Sequence, residues 1–186
     1  MKRYVGWLVL ILLSAAGSGL AQRNEVGATV GGQLVFGSYD MGYSGVFQLT
    51  PAHRILNAKL AEAYVEVPLA WSFKDANIDP VPGLHDQYSA FYVAPGVKLK
   101  MLPQFPVSPY GFVGVGLARF HDRNTGDASY ASVVDYGAGL DWKLAPFLSV
   151  RTELRDYNSG APDLGYPLPL GRQQNVMATI GLVARF

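Results

Sequence analysis

The 186-residue sequence contains no cysteine. That absence excludes a disulfide scaffold, a thiolate zinc site, a thiol nucleophile and a lipidated N-terminal cysteine. Charge is also scarce: 15 Lys and Arg face 14 Asp and Glu, a net charge of +1. So balanced a chain is neither a broadly basic nucleic-acid binder nor an acidic tail protein. Past the N-terminus no apolar run is long enough for a transmembrane helix. What the chain does have is 49% hydrophobic residues, 21 glycines and an aromatic set of 9 Phe, 11 Tyr and 3 Trp. That is too apolar for disorder, and the length suits one domain.

Lys2 and Arg3 open the chain, residues 4–13 are apolar, and residues 14–19 are small. This is the layout of a secretory signal peptide, with Gly19 and Ala21 small at the −3 and −1 positions. Cleavage is expected after Ala21. The apolar run of about ten residues falls short of the ~20 that a spanning helix needs. The expected domain plan is a signal peptide over 1–21 and a single domain over 22–186. Loss of Lys2 and Arg3 leaves 13 bases against 14 acids.

The rest of the chain alternates with a period of two, in stretches broken by Gly, Pro, Asn and Asp. The alternation predicts strands over 24–36, 60–72, 132–144, 147–157 and 175–186. Weaker patterns predict further strands over 43–49, 88–100 and 109–120. In the last strand Val176, Ala178, Ile180, Leu182, Ala184 and Phe186 share one face. In 60–72 the odd positions are apolar, while Glu62, Tyr64 and Glu66 take the other face. Arg119 leaves the parity of 109–120 ambiguous, because it shares a face with Val113, Val115 and Leu117. Eight strands with one apolar face fit a soluble sandwich, a lipocalin-like barrel or a membrane barrel.

Three features favour the membrane. The second face carries Gly, Thr, Glu, Lys, Asp and Arg rather than large core side chains. Aromatics sit at strand ends (Phe36, Trp71, Tyr88, Tyr110, Phe120, Trp142, Phe147, Tyr157 and Phe186), where interfacial girdles form. Long connections at 73–87, 121–131 and 158–174 alternate with shorter ones at 101–108 and 145–146, as extracellular loops alternate with periplasmic turns. Residues 50–59 break that pattern as a long inner connection. Pro68 and Pro95 break it too: each removes a ladder donor in a barrel without edges, so a bulge is expected there.

Inward charges in a narrow lumen need partners. The adjacent strands set Glu62 and Glu66 beside Lys98 and Lys100, and Asp141 and Lys143 beside Arg151 and Glu153. Closure brings Glu25 towards Arg185. With Asp135 and Arg155, these residues form the expected lumen charge network.

Three stretches carry a family likeness: Tyr110-Gly-Phe-Val-Gly-Val-Gly-Leu-Ala-Arg-Phe120, Tyr136-Gly-Ala-Gly-Leu140 and the terminal Gly181-Leu-Val-Ala-Arg-Phe186. On them the chain resembles the small outer-membrane barrels of the OmpA/OmpX type. The resemblance implies a closed eight-stranded antiparallel up-and-down transmembrane β-barrel, all-β and set in outer-membrane lipid and lipopolysaccharide. It also implies an assembly signal in Ile180, Leu182, Ala184 and Phe186, read by the barrel-assembly machinery. Pro68, Pro95 and the 50–59 connection depart from the family pattern.

Chemistry is hard to find. His85-Asp86 and His121-Asp122 are loop dipeptides whose members point to opposite faces, so neither makes a dyad. Ser129 and Ser132 lie near His121 without a recognised hydrolase motif. Gly111, Gly114 and Gly116 lack the Lys-Ser/Thr and the helix of a phosphate loop. Asp75, Asp79, Asp86, Asp122 and Asp127 lack calcium-loop spacing. No enzyme activity, cofactor, metal or nucleic acid is expected. Tyr166, Leu168 and Leu170 lie in an outer loop stiffened by Pro162, Pro167 and Pro169. They are the expected contacts for a surface ligand or partner protein. The expectation is a monomeric barrel serving envelope integrity or surface adhesion. A narrow solute pore and a soluble lipocalin-like barrel remain as alternatives.

Overall fold

The computed structural model describes residues 23–36, 42–73, 76–81, 84–122, 128–160 and 171–186, with backbone alone at 42, 76–81, 84–88 and 122. The predicted signal segment and the loop residues Tyr166, Leu168 and Leu170 lie outside the described residues. Eleven strand segments follow one another: β1 Asn24–Phe36, β2 Gly42–Asn57, β3 Ala61–Glu66, β4 Leu69–Ser72, β5 Ala76–Val81, β6 Leu84–Val93, β7 Gly96–Met101, β8 Val107–Asp122, β9 Ala128–Ala145, β10 Leu148–Gly160 and β11 Arg172–Arg185. All pairings are antiparallel, and β1 pairs with both β2 and β11, so the sheet closes on itself. At the seam Asn24 and Phe186 exchange both backbone hydrogen bonds, at 2.9 and 3.0 Å.

Eight staves make the ring, because β3 with β4 forms one stave and β6 with β7 another. A walk perpendicular to the strands passes Asn24, His53, Val65, Val97, Val113, Tyr136, Asp156 and Val176, and returns to β1 at Leu34. The stagger from 24 to 34 is ten residues. With eight strands it sets a tilt of about 40° and a lumen that side chains alone can fill.

The interruptions at Pro68 and Pro95 are not bulges. Leu69 pairs with Val93 and Glu66 with Gly96, so the register runs through both prolines unshifted. Pro51, Pro68 and Pro95 lie in a row on three neighbouring staves. Each lacks a donor but accepts from the next stave: Val67 N–H donates to Pro51 O at 3.0 Å, Ala94 N–H to Pro68 O at 3.4 Å, and Val115 N–H to Pro95 O at 3.1 Å. The ladder is thinned at one level rather than displaced. Register shifts occur elsewhere, at Arg54/Leu56 and Leu148/Ser149 in the ring and at Ile78/Val81 between β5 and β6.

The inner connection over 50–59 is also corrected. β2 continues through Pro51 to Asn57, because Thr50, Ala52 and Arg54 keep the inward parity of Gln48. Within the predicted outer loop 73–87, β5 pairs with β6 as a hairpin beyond the staves.

Burial is inverted relative to a soluble protein. Val115 is 65% exposed and Leu117 61%, while Arg151 and Arg155 are each 1% exposed. The apolar face therefore points outward, which settles the parity of β8 and excludes the lipocalin-like arrangement. Because Ala28 stands opposite Leu182 across the seam, a double variant Ala28→Cys with Leu182→Cys should form a disulfide under mild oxidation, since opposed strand residues lie within its ~4.4–6.8 Å Cα reach. The denatured, non-reduced chain would then run faster on a gel as a closed loop. Failure to cross-link would contradict closure.

Candidate functional site

Among the described residues, ionisable side chains converge in the lumen. Inward positions alternate along every stave, so a charge at each second residue lands in the same narrow interior. Near the end that carries Asn24, Phe186 and the short turns, Glu25 is the hub. Its carboxylate takes an ion pair from Lys98, from Lys100 at 3.0 Å and from Arg151 at 2.8 Å. Arg185 approaches it at 3.7 Å. Asp141 completes this tier, paired with Lys100 at 2.6 Å and with Arg151 at 2.8 Å. Two carboxylates from β1 and β9 thus neutralise cations from β7, β10 and β11.

A second tier centres on Arg155. Its guanidinium reaches Glu66 at 2.9 Å, Glu153 at 2.8 Å and Asp135. Lys98, 3.5 Å from Glu66, joins the two tiers. Glu153 also accepts from Tyr110 Oη at 2.7 Å and from Gln48 Nε2 at 2.8 Å. Aromatic faces cover the cations: Arg155 lies 3.7 Å from the Phe112 ring centroid and Arg151 4.8 Å from that of Tyr110.

Two glycines make room for those rings. Tyr110 stands opposite Gly139 and Phe112 opposite Gly137. A Cβ at Gly139 would lie 2.3 Å from Tyr110 Oη, and one at Gly137 2.5 Å from Phe112 Cζ. The glycines of β9 are recesses that let β8 aromatics lie flat across the sheet.

Above the ions the lumen mixes uncharged polar side chains (Gln33, Ser44, Gln173 and Asn175) with large aromatic and apolar ones, which corrects the expectation of an interior free of large side chains. Tyr92 stacks on Tyr157 with centroids 4.7 Å apart, and Phe120 meets Tyr92 edge-on at 6.1 Å. Val35, Val46, Val133 and Met177 fill in around them. Tyr110, Phe120 and Tyr157 were expected in the lipid-facing girdles; all three are buried inside instead. Gln33 binds Tyr92 Oη at 3.2 Å and Asn175 at 3.1 Å at this level.

Of the residues expected in the network, Glu25, Glu66, Lys98, Lys100, Asp135, Asp141, Arg151, Glu153, Arg155 and Arg185 come together. Glu62 does not pair with Lys100. It sits at the rim with Arg54 at 2.6 Å and Tyr64 at 2.7 Å. Lys143 stands apart from the carboxylates and donates to the Pro103 carbonyl. Arg54 lies beyond the predicted strand over 43–49, which ends short of the observed β2, whereas Gln48 lies inside it and carries no charge to mark it. Continued parity beyond Leu49 was the signal for Arg54. Ile180, Leu182, Ala184 and Phe186 lie along the outward face of β11. Among the described residues no group of His, Asp and Glu is placed to hold a metal.

No protein-family model and no curated protein matches the chain. Solved structures do. Neisserial surface protein A aligns with a TM-score of 0.63 at 13% identity, covering 88% of this chain and 97% of that one. OprG from Pseudomonas aeruginosa aligns at 0.55 and 9% identity, covering 88% and 96%.

Replacing Arg155 with Met removes one cation from among three carboxylates. Stranding buried charge costs about 3–5 kcal/mol. Arg155→Met should therefore unfold at much lower urea in detergent micelles, and adding Asp135→Asn should recover part of the loss. Lys143→Ala, outside the network, should change stability by less than about 0.5 kcal/mol. Equal effects at Arg155 and Lys143 would contradict the tiered network. An apolar-jacketed ring of eight staves around a paired ionic interior has the fold of the small OmpA/OmpX-type barrels of the outer membrane.

Proposed function

We propose that the chain is a non-enzymatic, non-conducting outer-membrane barrel that holds extracellular segments rigidly at the cell surface. The observation that carries this reading is the stacked filling of the lumen. Two ionic tiers lie beneath a plug of Tyr92, Phe120, Tyr157 and Met177, so solute would have to break several buried ion pairs to pass. Staves that outrun the bilayer support the second half. A tilted strand crosses in about 9–11 residues, yet β8 has 16 and β9 has 18. The excess of β8 and the β5–β6 hairpin lie at the end opposite Asn24 and Phe186, the extracellular end in barrels with short periplasmic turns.

In this reading the ionic tiers are struts that fix the staves, and Tyr166, Leu168 and Leu170 contact a surface ligand or partner protein. Ile180, Leu182, Ala184 and Phe186 serve as the assembly signal. Purified barrel in a planar bilayer should show no steady channel. Replacing residues 161–170 with a short Gly-Ser linker should leave the folded barrel intact and abolish adhesion of the producing cells to a coated surface. A stable ohmic conductance would contradict the plugged lumen. Undiminished adhesion after the replacement would contradict the role of that loop.

A further inference from the structure

A row of outward-facing side chains crosses neighbouring staves near their extracellular ends. Phe47 of β2 stands opposite Trp71 of β4, Trp71 opposite Phe91 of β6, Phe91 opposite Arg119 of β8, and Arg119 opposite Tyr130 of β9. The Phe47 and Trp71 rings are 5.8 Å apart, and the Trp71 and Phe91 rings 4.9 Å. The row is an aromatic shelf that contains one cation. Arg119 is exposed and has no ion-pair or hydrogen-bond partner among the described residues. It borders an open groove of about 410 Å³ with Trp71, Phe91, Ser89 and His121. Nδ1 of His121 is buried there without a hydrogen-bond partner among the described residues.

A guanidinium on the lipid face is costly unless it finds water or an anion at the interface. Nothing acidic on the described wall supplies that anion. Directly below Arg119 on the same face lie Val115 and Leu117, both largely exposed, which suit acyl chains. The site therefore has the polarity of a membrane lipid: an anion receptor at the level of the head groups and an apolar track beneath it. Arginine matches phosphate oxygens bidentately, and the flanking rings offer flat apolar faces to a sugar or an acyl chain.

We propose that this groove seats the phosphate of a phosphorylated, acylated glycolipid of the outer leaflet, with Arg119 holding the phosphate and Trp71 and Phe91 flanking the head group. The proposal needs only the lipid-facing exterior, and stands whether or not the outer loops bind a partner.

The test uses the full-length barrel in detergent, titrated by native mass spectrometry. The probes are bis-phosphorylated lipid A, the same lipid A with both phosphates removed, and inorganic phosphate as competitor. The wild type should bind the phosphorylated form about tenfold more tightly or better, the scale of one charge-assisted contact. Arg119→Ala should erase that preference and leave the weaker binding of the phosphate-free form unchanged. Trp71→Ala should weaken both forms alike. An undiminished preference in Arg119→Ala would overturn the proposal. So would displacement of lipid A by millimolar inorganic phosphate, which would mark a site for the free anion.

Discussion

Neutralising charge inside a tube too narrow for bulk water is the constraint on which the rest of this molecule depends. Ionised side chains in a low-dielectric interior are costly unless paired and hydrogen-bonded. Glu25 meets cations from β7, β10 and β11, and Arg155 meets carboxylates from β3, β9 and β10. Some of these pairs are local to one strand or hairpin, and others span the lumen. Those from Glu25 to Lys98, Lys100 and Arg151, and from Glu66 to Arg155, join staves that are not neighbours and form only if the ring is closed at the observed stagger of ten residues. Charge pairing and closure are thus the same requirement seen from the inside and from the wall.

That requirement explains choices that look weak locally. Glycine is a poor strand residue, yet Gly137 and Gly139 give Phe112 and Tyr110 room to lie over Arg155 and Arg151. Proline removes a ladder donor, yet Pro51, Pro68 and Pro95 each pass a carbonyl to the next stave and keep the register. The register matters because a slip of one residue would send every lumen charge into lipid. Above the Arg155 tier no described lumen side chain carries a charge, and stacked aromatics with uncharged polar side chains fill the space instead.

Much of this was legible in the sequence, for a physical reason. Period-two alternation is all a half-buried strand requires, so 24–36 matches β1 residue for residue. Closure alone sets Glu25 beside Arg185, because both sit at the seam. Which carboxylate meets which cation was less legible. Register places Glu62 opposite Lys100, but the longer β2 brings Arg54 within reach of Glu62 first. The aromatic plug was hidden because a tyrosine or phenylalanine at a strand end fits a lipid girdle and a lumen cap equally well. Only parity separates them, and Arg119 blurred the parity of β8. That arginine faces outward at the interface, as a cation can when its head reaches the level of the lipid head groups.

The central claim is a closed barrel resident in the outer membrane. It is tested most directly by gel mobility of washed outer membranes, boiled against unboiled in dodecyl sulfate. The account predicts a folded band that runs apart from the denatured one and shifts on boiling, because ladder closure and the internal ion pairs resist detergent. A single band unchanged by boiling, with the protein recovered from the soluble periplasm, would contradict it.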